Sequence, residues 1–129
     1  MPEKYLPFEL IPGMPKELCV SRLVDGEEGL IVILKEFGKT RRFRLTFSGQ
    51  TAYRAIDEQF RSRTIHHIAQ EISFPQPFFV VENSTWLRWL DEESDGLLGG
   101  RGFIHIAVMT TDICLDVACT AKPACEVES

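Results

Sequence analysis

At 129 residues the chain has the size of a single domain, and 44% hydrophobic and 26% charged residues with nine Phe make a globular composition rather than a disordered one. A net charge of −5 and a pI near 5.2 weigh against nucleic acid as a partner. Neither a basic, apolar leader at the start nor an apolar run long enough to cross a bilayer is visible, so no membrane partner is expected.

Four Cys are too few for a disulfide scaffold, and without a secretory signal they read as reduced thiols in a cytoplasmic protein. Charge is uneven along the chain. Residues 1–30 carry −3, residues 31–63 carry +5 and residues 64–129 carry −7. Such asymmetry suits a bipolar surface, although solvated strands and helices of ordinary type produce it too.

Residues 1–17 hold Pro2, Pro7, Pro12 and Pro15, which forbid a helix and predict an extended arm over the surface. A single α+β domain is expected over residues 18–120, followed by a flexible tail over 121–129. Residues 18–24 are strand-prone, and Asp25-Gly26-Glu27-Glu28-Gly29 turns the chain into the apolar run of residues 30–34. That run predicts a central strand. Next, Phe43, Leu45 and Phe47 alternate with Arg42, Arg44 and Thr46, which gives a strand with one buried face. Residues 53–58 follow after a short turn, so a four-stranded meander is the simplest account of residues 18–58.

Ile65, Ile68, Ala69 and Ile72 have helical spacing and predict a short helix within residues 61–72, broken by Phe74-Pro75-Gln76-Pro77. Residues 78–81 then read as a strand. Asn83 and Ser84 are both good N-caps for a helix over residues 84–95, in which Trp86, Trp89 and Leu90 fall along one side and Gly96 is expected at C′. Burial of both indoles is the expectation. A glycine-rich connector over residues 96–102 leads to a final hairpin, residues 103–110 and 113–119, with Thr111-Asp112 as its turn. The register this turn dictates pairs Ile104, Ile106 and Val108 with Cys119, Val117 and Leu115 on one apolar face. The predicted fold is α+β: one antiparallel sheet of about six or seven strands carrying the Trp helix on one face.

The opposite face of that hairpin holds the most informative polar pair. His105 sits opposite Ala118 and Asp116 opposite Ala107, which makes His105 and Asp116 diagonal neighbours within side-chain reach. A structural hydrogen bond that fixes register is the plain reading of such a pair. Ligand or partner binding is the next, and a general base oriented by a carboxylate the third; for that role no nucleophile can be assigned from the sequence.

Three His and the Cys at 114, 119 and 125 invite a zinc site, but positions 114 and 119 differ by an odd number and fall on opposite faces of a strand. No metal and no cofactor is expected. Asp91, Glu92, Glu93 and Asp95 crowd the end of the Trp helix, where the helix dipole disfavours anions by about 0.3–1 kcal/mol each. This is either a solvated helix end or an acidic patch for a basic protein partner. Lys39, Arg41, Arg42, Arg44, Arg61 and Arg63 form a basic counterpart without stacking aromatics on their face.

Glu82-Asn83-Ser84 followed by Trp86-Leu87-Arg88-Trp89, together with His105, Thr110, Asp112, Asp116 and Val117, resembles a group of small bacterial proteins of uncharacterised function. Tyr53-Arg54 and Asp57-Glu58 look like that group's upstream strand, and the likeness spans about residues 43–119. It implies a single soluble α+β domain with no known reaction. The functional expectation is therefore a binding protein that uses Asp91, Glu92, Glu93, Asp95, His105 and Asp116. A small hydrolase or isomerase built on His105 and Asp116 is the second expectation, and a domain that self-associates through a strand edge is the third.

Overall fold

The alternation of Phe43, Leu45 and Phe47 does what its period predicts: all three are at most 1% exposed, while the intervening Arg42, Arg44 and Thr46 are half-buried on the other face. A computed structural model describes residues 2–73 and 76–128. In chain order the described elements are β1 (Lys4–Pro7), β2 (Leu18–Gly26), β3 (Gly29–Glu36), β4 (Arg42–Phe47), β5 (Ala52–Asp57), α1 (Ser62–Ala69), β6 (Phe78–Glu82), α2 (Thr85–Glu93), β7 (Ile104–Met109), β8 (Ile113–Cys119) and β9 (Ala124–Glu128). A 3₁₀ turn over Glu58–Arg61 leads into α1.

These strands build two antiparallel sheets rather than one of six or seven strands. One has the order β1-β6-β7-β8-β5 and the other β2-β3-β4-β9. The expected meander is correct through β4, after which the chain leaves its sheet and β5 pairs with β8 instead. Two further strands come from segments expected to be irregular. Lys4–Pro7, inside the Pro-rich arm, pairs with β6, and Ala124–Glu128, inside the expected loose tail, pairs with β4. The break expected at residues 74–77 falls partly on Phe74 and Pro75, which lie outside the described residues.

The molecule is layered. Leu30, Val32, Leu34, Phe43, Leu45 and Phe47 of one sheet pack against Phe78, Ile106, Val108, Leu115 and Val117 of the other, all at most 1% exposed. At about 1.5–3 kcal/mol for each large apolar side chain, this inter-sheet core far outweighs the ion pairs on the surface, which are worth about 0–1 kcal/mol each. The outward Arg42–Arg44 face is thus solvated rather than structural, with Arg44 beside Glu28 and opposite Glu126. A second, smaller core lies on the far side of the five-stranded sheet, where Ile65, Ile68 and Ile72 cover Phe79, Ala107, Met109 and Cys114.

The β7-β8 hairpin has the register that its two-residue turn dictates, from Ile104 opposite Cys119 to Met109 opposite Cys114. Thr110 closes the turn, its Oγ1 accepting from the Ile113 amide at 3.0 Å. Cys114 accordingly faces the helices and Cys119 the inter-sheet core, on opposite faces as their spacing requires.

Helix α2 begins at Ser84, whose Oγ accepts from the Leu87 amide at 3.0 Å, whereas Asn83 adopts a left-handed conformation (φ 57°) just before it. The helix ends in a Schellman motif, with the Gly96 amide donating to Asp91 O and the Asp95 amide to Glu92 O. Asp95 (φ 56°) therefore takes the C′ position expected for Gly96, which stands one residue further on. Only one indole is buried: Trp86 is 7% exposed and Trp89 is 54% exposed. Positions 86, 87, 90 and 91 form the covered sector of the helix, and Trp89 falls just outside it.

Candidate functional site

Beneath the two helices, on the face of the five-stranded sheet away from the inter-sheet core, lies a continuous line of polar side chains. Its centre is His105, fully buried on β7, and Asp116, 1% exposed on β8. The diagonal placement read from the hairpin register is realised as a 2.7 Å contact between His105 Nε2 and Asp116 Oδ1. Both are thus brought together as the sequence expects, but inside the protein and away from any surface.

Three more residues complete the line. Ser84 Oγ is 2.7 Å from His105 Nδ1, so the hydroxyl that caps α2 also meets the imidazole. With the ring proton on Nε2, each donor finds an acceptor: the Leu87 amide to Ser84 Oγ, the Ser84 hydroxyl to Nδ1, and Nε2–H to Asp116. On the far side, Asp116 Oδ2 accepts from Arg54 Nε at 2.7 Å and from Arg61 Nη1 at 2.8 Å. Trp86 lies edge-on to the His105 ring with centroids 5.1 Å apart, and the Arg54 guanidinium sits 5.0 Å from the Trp86 ring centre.

Burial alone would raise the Asp116 carboxyl, yet the hydrogen bond and attraction from His105, followed by the hydrogen bonds of Arg54 and Arg61, hold it far below the usual carboxylate range. Two guanidinium groups share this one carboxylate, so the cluster is cationic whatever the state of the imidazole. Tyr5, packed nearby, has its hydroxyl pushed up to about 12, first by burial and then by Glu3 and Asp116. No buried side-chain polar atom among the described residues lacks a partner.

Serine, histidine and aspartate in one hydrogen-bonded line invite comparison with a hydrolytic triad, and the geometry differs in three ways. Serine meets Nδ1 and the carboxylate meets Nε2, the reverse of the usual sense. The Ser84 oxygen is already engaged as a helix cap. Among the described residues, none of the surface cavities of about 130–270 Å³ at the N-terminal arm, the β7-β8 turn, the end of α2, the β2-β3 turn and α1 is lined by Ser84, His105 or Asp116. In this arrangement the line serves as a bracket that ties β5, the 3₁₀ turn, the α2 N-terminus, β7 and β8 to one another. Among the described residues no group of three or more His, Cys, Asp or Glu is placed to hold a metal ion.

The acidic residues lie elsewhere, at the far end of α2. Asp91 is half-buried, and its Oδ1 accepts from the Leu98 amide at 3.0 Å, so this carboxylate anchors the glycine-rich connector. Glu92, Glu93 and Asp95 are exposed. The expected basic group is divided: Arg61 is spent on Asp116, while Arg42 and Arg44 lie on β4 and Arg41 just before it. No described helix is long and apolar enough to cross a membrane.

Sequence reasoning selected Ser84 as a cap and missed its contact with His105, because that contact depends on where α2 docks. Arg54 and Arg61 were missed because β5 was expected beside β4. Comparison of the chain with protein-family models, curated proteins and solved structures gives no match.

Proposed function

We propose that this is a non-enzymatic binding protein whose contact surface is the exposed side of α2 and its acidic end. The observation that carries this reading is Trp89, a large aromatic side chain 54% exposed on the same helix as the exposed Glu92, Glu93 and Asp95. Tryptophan is the side chain most enriched among residues that dominate binding energy, and an acidic rim beside it favours a basic protein partner. His105 and Asp116 have no part in the surface, being fully buried. A cytoplasmic setting in a bacterial cell belongs to the same reading, supported by four cysteines that are all free thiols.

The test compares proteins retained from an extract by the wild type and by Trp89→Ala and Glu92→Lys/Glu93→Lys variants. A purified partner should bind the wild type with salt-sensitive affinity and lose at least about tenfold with either variant. Equal binding by all three proteins removes α2 from the contact.

A further inference from the structure

Each sheet has two edges, and three of the four carry a device that discourages strand addition. β1 is four residues long and ends in Pro7, which has no amide to donate. β2 is interrupted by a bulge between Val20 and Arg22. β9 carries Glu126 and Glu128, which solvate it and repel their own kind. β5 has neither proline nor bulge: six residues paired to β8 in unbroken register from Ala52 to Asp57, with Asp57 at its end as its one exposed charge. Its only basic side chain, Arg54, turns inward to Asp116. Tyr53, Ala55 and Asp57 are exposed, and among the described residues only β8 is paired with this strand.

At the start of the same edge is a cavity of about 130 Å³ bordered by Thr51, Ala52, Leu90, Leu97, Leu98 and Phe103. Cofactor and small-molecule sites usually need about 300 Å³ or more, so this one is sized for a single aliphatic side chain. Leu90 and Ser94 of its lining belong to the end of α2, the same helix end that carries the exposed Glu92, Glu93 and Asp95.

The geometry points to strand addition at β5: an extended segment of a partner protein pairs with Tyr53–Asp57, seats one Leu, Ile or Met side chain in the cavity beside Ala52, and places Lys or Arg against the end of α2. Backbone hydrogen bonds supply affinity, while the cavity and the acidic end of α2 supply specificity. This rests on the binding reading above and names the partner's chemistry and the way it attaches.

The probe is a set of three fluorescein-labelled peptides, Thr-Val-Thr-Leu-Lys-Val-Lys-Thr and its Ile and Met counterparts at the Leu position, read by anisotropy. At least one should bind, and methylating the backbone nitrogens of alternate residues should weaken it about tenfold in one phase and hardly at all in the other, since only every second amide faces β5. Leu97→Asp in the cavity should cost a similar factor, as should Ala55→Pro; the methylated peptides keep the test valid if that variant does not fold. Absence of binding by all three peptides, or equal binding by both methylated phases, overturns strand addition. So does sedimentation that shows the wild type dimeric and Ala55→Pro monomeric, because a second copy would then own the edge. Partner capture that depends on Glu92 and Glu93, with peptide binding absent, leaves the acidic surface standing and removes only the β5 site.

Discussion

Ser84 and His105, 21 residues apart in the chain, meet at 2.7 Å through the same serine oxygen that caps α2. One hydroxyl thereby fixes both where the helix starts and how the imidazole beneath it is held.

Ser84→Ala should cost stability on two counts. Loss of the cap is worth about 1 kcal/mol, and a buried Nδ1 left without its hydrogen-bond partner about 1–3 kcal/mol more, giving roughly 2–4 kcal/mol in urea unfolding. A loss under about 0.5 kcal/mol, the size of an ordinary surface substitution, would refute the bracket role.

Asp116 makes stability depend on acid. Its folded carboxyl lies far below the ordinary carboxylate value of the unfolded chain, which therefore takes up the proton more readily. The contribution is present above the unfolded value and is lost progressively as pH falls below about 5 towards the folded one. Asp116→Asn should flatten the acid limb of a stability profile and cost about 3–5 kcal/mol at neutral pH, because Arg54 and Arg61 are left without their anion. An unchanged acid limb in the variant would assign the acid sensitivity to other carboxylates.

The two tryptophans should part company. Trp86→Ala removes a buried indole and should cost about 3–5 kcal/mol, whereas Trp89→Ala should stay within about 0.5 kcal/mol. Quenching by acrylamide should report one accessible indole and one protected one, the protected signal vanishing in Trp86→Ala. Similar costs for the two substitutions would contradict the orientation of α2.

Thiol reactivity should divide the four cysteines. Cys114 and Cys119 are 1% exposed, and burial pushes both up to about 11, while Cys19 and Cys125 are half-buried, with Cys125 raised by burial and then by Glu126. A disulfide reagent should modify Cys19 and Cys125 in the folded protein and all four in guanidinium. Rapid labelling of Cys114 under native conditions would mean that the core under α1 opens.

Local rules made part of this molecule legible and tertiary choices hid the rest. The β7-β8 register followed from a period of two and a two-residue turn, and it delivered the His105–Asp116 contact directly. The inward faces of β3 and β4 followed from the same alternation. Which strand β5 would join could not be read in that way, since adjacency in sequence favoured β4 and only the packing of two sheets sends the chain across. The Arg54 and Arg61 contacts were hidden with it. β9 was obscured because Pro123 and two glutamates read as a loose acidic tail, and the alternation of Cys125 and Val127 with Glu126 and Glu128 gains meaning only from its pairing with β4. Trp89 was misjudged because the covered sector of α2 is narrower than its aromatic spacing suggests.

The bracket also bears on how such a chain can drift over generations. Arg54, Arg61, Ser84, His105 and Asp116 each satisfy a partner that is largely or wholly shut off from water, so a change at one strands a charge or a donor at another. These five positions should therefore be inherited or abandoned as a set, most readily through a replacement that is apolar throughout. A descendant that keeps Asp116 without both arginines would be an unstable intermediate, whereas α2's exposed face can vary residue by residue as its partners change.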